Sequence, residues 1–329
     1  MMNNEQKDFS FDNNQIKKLM RKAKFWSTIK IIVITIVVTP IILSVLWYGL
    51  WKLTLHSAQK TIGEIVMFNE ISGPNVHISH QTYNTDWLGG DIKIRTYKVL
   101  GNRPHIWEPI EGSYNLFGTF SRNYGSYGSI QFERSESLAE THQFDRFNAY
   151  TGDRELFFYH PDVAYDVYKD SISELEQIEK TNFVELGLSF DQAYSYNEIQ
   201  NKLPSNVQVV WWWVDAYPYE RIDFFQQDQD TISADYPFIY GFHAEQFKED
   251  AYGGIDSFIT SLERLQDSNN FKWEAGEAYN ALIGDNGKLE QSDVQIIGAI
   301  VTGTPEQLKS LQGLPFIKGS TLGVIAELK

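Results

Sequence analysis

The sequence predicts an α+β protein carried by a single N-terminal transmembrane helix, on three observations. The 21 residues between Lys30 and Lys52 hold no charge. From about residue 60 to 150, strand-like pieces such as DIKIRTYKVL alternate with turn-rich stretches such as SRNYGSYGS. Beyond residue 180 the hydrophobic spacing switches between strand and helix in the order β-α-β-β-α-β-α-β. The simplest packing of that order is an antiparallel or mixed sheet covered by helices, ferredoxin-like in arrangement. The expected organisation is a cytoplasmic basic tail over 1–28, a span over 29–52, an extracytoplasmic β-rich region over 56–150 and an extracytoplasmic α+β domain over 151–329.

In the tail, Asp12, Asn13 and Asn14 are good helix N-caps, and Ile16, Leu19, Met20 and Ala23 follow at i, i+3, i+4 and i+7. Lys17, Lys18, Arg21, Lys22 and Lys24 surround this narrow apolar stripe. Such a helix rests on anionic lipid or offers its stripe to a partner, and both readings stand.

The charge-free run IIVITIVVTPIILSVLWYGLW, at about 1.5 Å per residue, matches the roughly 30 Å hydrocarbon core of a bilayer. Trp26 marks one edge and Trp47, Tyr48 and Trp51 the other, the level that amphipathic rings prefer. Lys17, Lys18, Arg21, Lys22, Lys24 and Lys30 precede the span, so the positive-inside rule puts the N-terminus in the cytoplasm and the rest outside the cell membrane. The run exceeds the apolar core of a signal peptide and no A-x-A-like site follows it cleanly, which favours an anchor over a cleaved leader. Pro40 frees a carbonyl for Thr35, Thr39 or a neighbouring helix, and Thr35, Thr39 and Ser44 make a small-residue face on which a homodimer could pack.

Charge separates the two ends. The chain carries −15 overall, yet its first 30 residues hold seven Lys/Arg against three Asp/Glu, a surplus of four that leaves −19 for the rest. Phosphate backbones would repel so acidic a domain, which excludes nucleic acid as a partner. With no Cys, disulfides, thiolate metal sites and Cys nucleophiles are excluded together.

YKDSISELEQIEK (168–180) reads as an acidic helix and FVELGLSF (183–190) as a strand. Ser195 and Glu198 have the spacing of a capping box, opening a short helix that ends near Pro204. VQVVWWWVDAY is a strand again, and a strand near 236–243 leads to a helix with Ile255, Phe258, Ile259, Leu262 and Leu265 on one face. Asp-Asn-Gly at 285–287 supplies a turn. Residues 294–302 form a buried strand, Thr304 caps a helix with Pro305 first and Gln307 third, and 320–327 return as a strand.

Little in this region suggests chemistry. His77 and His80 have a metal-like spacing but no third ligand nearby, so packing and surface roles are expected. Asp228, Asp230 and Asp235 suggest calcium, but Ile232 breaks the pattern, leaving a solvated acidic loop. Trp211, Trp212 and Trp213 lie on a strand apolar on both faces and belong in the core. No G-x-S-x-G, H-E-x-x-H or phosphate-loop motif occurs, so neither catalysis nor a cofactor is expected.

KLMRKAKFW before the span, the segment VELGLSFDQAYSYNEIQNKLPSNVQVVWWWVDAY and the closing GAIVTGTPEQLKSLQGLPFIKGSTLGVIAEL together resemble the sigma factor regulator family of Gram-positive bacteria, with its N-terminal and C-terminal regulator domains. The resemblance covers nearly the whole chain. It implies a membrane-bound anti-sigma factor that holds an extracytoplasmic-function sigma factor until an envelope signal releases it. With only about 28 residues inside, that contact would fall to the tail helix, or to a second membrane protein that this one assists. The alternative is an anchored binding module for cell-wall polymer or a protein partner, without a role in transcription.

Overall fold

The computed structural model describes residues 13–122, 129–132, 145–234, 238–244, 253–284 and 286–327. The chain divides into two compact units, Met1–Leu53 and Thr54–Lys329. The described part of the first unit is entirely helical and belongs to α1 (Asn13–Ser72). Asp12, expected as a cap, lies outside the described residues. Pro40 sits within α1. The Thr35 hydroxyl donates to the carbonyl of Ile31 at 2.9 Å, so it serves its own i−4 carbonyl, whereas the one that Pro40 leaves free is that of Ile36.

In the second unit α1 continues to Ser72, through residues expected to begin the strands. Helix wins there because Ala58, Ile62 and Ile65 recur at helical spacing and are all buried, against Ile92, Ile94 and Tyr114. Those three belong to an antiparallel sheet in the order β1 (His77–Tyr83), β2 (Gly89–Leu100), β3 (Arg103–Asn115), β4 (Phe120–Arg122). Period-two burial runs cleanly along β2, with Ile92, Ile94, Thr96, Lys98 and Leu100 inside. Two short antiparallel ribbons follow: β5 (Ser129–Phe132) pairs with β6 (Asp145–Asn148), and β7 (Phe157–Phe158) with β10 (Ile232–Ser233).

The central sheet has five strands, all antiparallel, in the order β11 (Gly241–His243), β9 (Gln208–Val214), β12 (Gln295–Gly303), β8 (Phe183–Ser195), β13 (Ile317–Ala326). Leaving out the edge strand β11, the first, second, third and fourth strands of this sheet lie in the ferredoxin-like order 4-1-3-2. Alternate residues of β8 meet different neighbours: Glu185 contacts Lys98 of β2, and Ser189 accepts a hydrogen bond from the Tyr159 backbone, while Leu186, Leu188 and Phe190 enter the main core. Trp211, Trp212 and Trp213 are buried in that core as expected. A Cβ at Gly241 would collide with the Trp212 carbonyl and the Trp211 ring, so only glycine lets the edge strand close on them.

The helices are α2 (Tyr196–Lys202), α3 (Tyr219–Asp228), α4 (Ile255–Leu265), α5 (Lys272–Leu282) and α6 (Pro305–Leu308). Of these, α3 and α5 were not expected from the sequence. The acidic helix expected over 168–180 is only a 3-10 turn, Ser173–Gln177. Its first backbone donors have other partners, one local and the rest on β13: Ser171 N–H donates to the Ser320 carbonyl, and Ile172 N–H to Asp170 Oδ1 and Ser320 Oγ. Ser195 is the N-cap of α2, but its side chain makes no capping hydrogen bond, so the expected capping box is not formed. At Thr304 both reciprocal bonds are present, with Pro305 opening α6. Of the turn at 285–287, Asp285 lies outside the described residues.

Candidate functional site

Two regions carry features that folding alone does not require. The first is the N-terminal part of α1. Ile16 is half-buried, and Leu19, Met20 and Ala23 are exposed along it. Lys17, Lys18, Arg21, Lys22, Lys24 and Lys30 are all exposed, as are Trp26, Trp47, Tyr48 and Trp51. Lys52 Nζ lies 5.7 Å and 5.2 Å from the ring centres of Tyr48 and Trp51, themselves 6.1 Å apart, so a cation and two rings close one end of the apolar stretch. The most apolar stretch has no share of its surface buried within the protein. A run so apolar and so uncovered suits lipid, and it lies in the one helix among the described residues that is long and apolar enough to cross a membrane, which fits a single-pass membrane protein. Thr35, Thr39 and Ser44 are exposed on the same helix.

The second region lies within the unit from Thr54 onward. Lys98 and Glu185 are fully buried, with Nζ 2.9 Å from Oε2 and 3.2 Å from Oε1. Asn75 Nδ2 donates to Glu185 Oε1 at 2.8 Å, Val324 N–H donates to Oε2, and Lys98 Nζ stands 4.1 Å from the centre of the Trp107 ring. Every charge is thus answered, as burial demands. Asn75 holds a positive φ of 54° to make these contacts and also exchanges hydrogen bonds with Val99.

A cavity of about 300 Å³ lies beside this pair, between α1, β3, β4 and the start of α5. Ile65, Phe68, Trp107, Ile110, Phe120 and Phe271 give it apolar walls, and the Phe68 and Phe271 rings stack with centroids 4.2 Å apart. Glu108 and Arg122 line it as an ion pair at 3.5 Å, with Asn148 also donating to Glu108. Asn270 fixes one rim, accepting from Phe120 N–H and donating to Glu64 and the Gly118 carbonyl.

The histidines separate. His80 is exposed, whereas His77 packs against Tyr97 and against His243 of β11, the two imidazole centroids 4.4 Å apart. Burial holds His77 down at about 4 and His243 well below its usual range, with His77 itself adding to the effect on His243. Glu70, in the same cleft, is pushed up to about 7 by desolvation. Among the described residues no group of three His, Cys, Asp or Glu could hold a metal ion. Asp235 and the side chain of Asp228 lie outside the described residues, and Ile232 is buried in β10. Lys98, Glu185 and the walls of the cavity carry no local motif that singles them out in the sequence.

Residues 17–105 match the family model described as sigma factor regulator N-terminal, and residues 175–324 match the one described as sigma factor regulator C-terminal. Together the two matches take in most of the chain. Neither curated proteins nor solved structures yield a match.

Proposed function

The chain belongs to the sigma factor regulator family, a regulatory one, and from that membership we propose that it is an anti-sigma factor, or an accessory to one, acting on an extracytoplasmic-function sigma factor. In this reading the N-terminus lies in the cytoplasm and the unit from Thr54 onward lies outside, where it receives an envelope signal. The tail helix contacts the sigma factor through Ile16, Leu19, Met20 and Ala23, directly or through a second membrane protein. The observation that carries the reading is an exposed apolar stripe, with Leu19 and Met20 at 68% and 67% exposure, directly before a membrane span. Helix-in-groove recognition uses anchors at just these positions. The six basic residues beside it support the inward orientation.

The test is co-purification of sigma factors with the full-length protein from solubilised membranes. Wild type should capture one, and a Leu19→Asp/Met20→Asp variant should lose at least ten-fold of that capture while still reaching the membrane. If no sigma factor is captured and deletion leaves envelope-stress transcription unchanged, the reading is wrong.

A further inference from the structure

The cavity between α1, β3, β4 and α5 has size, walls and charge that together specify a ligand. We propose that it binds a small organic cation with an apolar body, an amine or a quaternary ammonium. At about 300 Å³ it stands at the lower end of the range of roughly 300–1,000 Å³ typical of small-molecule pockets, room for one ring and a compact head group. Phe68, Trp107, Phe120 and Phe271 supply aromatic surface, the preferred surroundings of alkylammonium ions.

Charge decides the sign. Glu108 is already answered by Arg122 and Asn148. Glu274 lines the same cavity, is half-buried, and its carboxylate makes no hydrogen bond or ion pair with any described residue. The uncompensated charge is therefore negative. An anion would have to displace Glu108 from Arg122 while facing Glu274, and a neutral ligand would leave Glu274 as it is. A cation gains both the carboxylate and the rings. The walls come from both family-matched segments and from the stretch of β3 and β4 over 107–122, which neither match includes. The inference stands apart from sigma factor control, since binding is read directly.

The experiment is equilibrium dialysis of the full-length protein in nanodiscs, against empty nanodiscs, using benzyltrimethylammonium, its neutral isostere neopentylbenzene, and benzenesulfonate. The cation should bind saturably and at least ten-fold more tightly than either other probe. Glu274→Gln, a change at a half-exposed side chain, should lower cation affinity at least ten-fold without moving the melting temperature. Ser121→Trp, or Ile110→Phe should the first variant melt early, should fill the space and abolish binding. Absence of saturable cation binding, equal binding by Glu274→Gln, or binding that survives a folded occluding variant would each overturn the proposal.

Discussion

Lys98 occupies the buried phase of β2, in line with Ile92, Ile94 and Thr96, a position where an ammonium is tolerated only beside a fixed counter-charge. Lys98→Met alone would strand the Glu185 carboxylate and should cost about 3–5 kcal/mol, whereas Lys98→Met/Glu185→Leu should recover much of that loss. Thermal unfolding of both variants in detergent checks this. The alternation of DIKIRTYKVL already put Lys98 inside, but its partner stands 87 positions away in another sheet, a distance that strand periodicity does not bridge. The buried imidazoles give a pH limb. His77 titrates near 4 in the folded protein against 6.5 when unfolded, so its contribution is complete above pH 6.5 and is lost as pH falls towards 4. His77→Phe should flatten this acid limb in melting curves. Glu70 acts oppositely: raised from 4.5 to about 7, it destabilises as pH rises through that window. Glu70→Gln should therefore melt higher than wild type at pH 8 and level with it at pH 4.5.

Among elements, the two caps make a controlled comparison. Thr304 accepts from the Gln307 N–H, and Thr304→Ala should cost about 1 kcal/mol, the usual worth of such a cap. Ser195 makes no capping bond, so Ser195→Ala should fall within about 0.5 kcal/mol of wild type by the same denaturation assay. Both caps have the same sequence spacing. What differs is the chain around them: α6 opens on Pro305, whose fixed φ suits the first helical turn, whereas α2 follows directly from the long strand β8. Strands with strong alternation or continuous apolar runs were legible for this reason: their pattern is local. The 168–180 segment was not, because β13 competes for its backbone donors from about 150 residues away. The continuation of α1 to Ser72 was hidden differently, since Ala58, Ile62 and Ile65 have helical spacing but follow a span whose polar flank looked like an end.

At the scale of the molecule, the anchor was the most legible part, because the bilayer imposes length, charge and edge chemistry at once. Val38→Arg, near the middle of the uncharged run, should cost about 2.5–3.5 kcal/mol of insertion free energy and shift the protein out of the membrane fraction on sedimentation. The cavity was the least legible, since no local pattern joins α1, β3, β4 and α5. The strand order carries a consequence in time. β12 sits between β8 and β9, pairing Ala299 with both Leu188 and Trp212, yet it is made only at residues 295–303, and its neighbours must wait for it. During synthesis the three adjacent tryptophans therefore have only the three-residue edge strand β11 to pair with, and their second neighbour, β12, begins more than 80 residues after Trp213. Until β12 emerges, such a nascent chain exposes apolar strand surface of the kind that chaperones cover, and a ribosome that stops short of β12 releases a chain whose central sheet never closes.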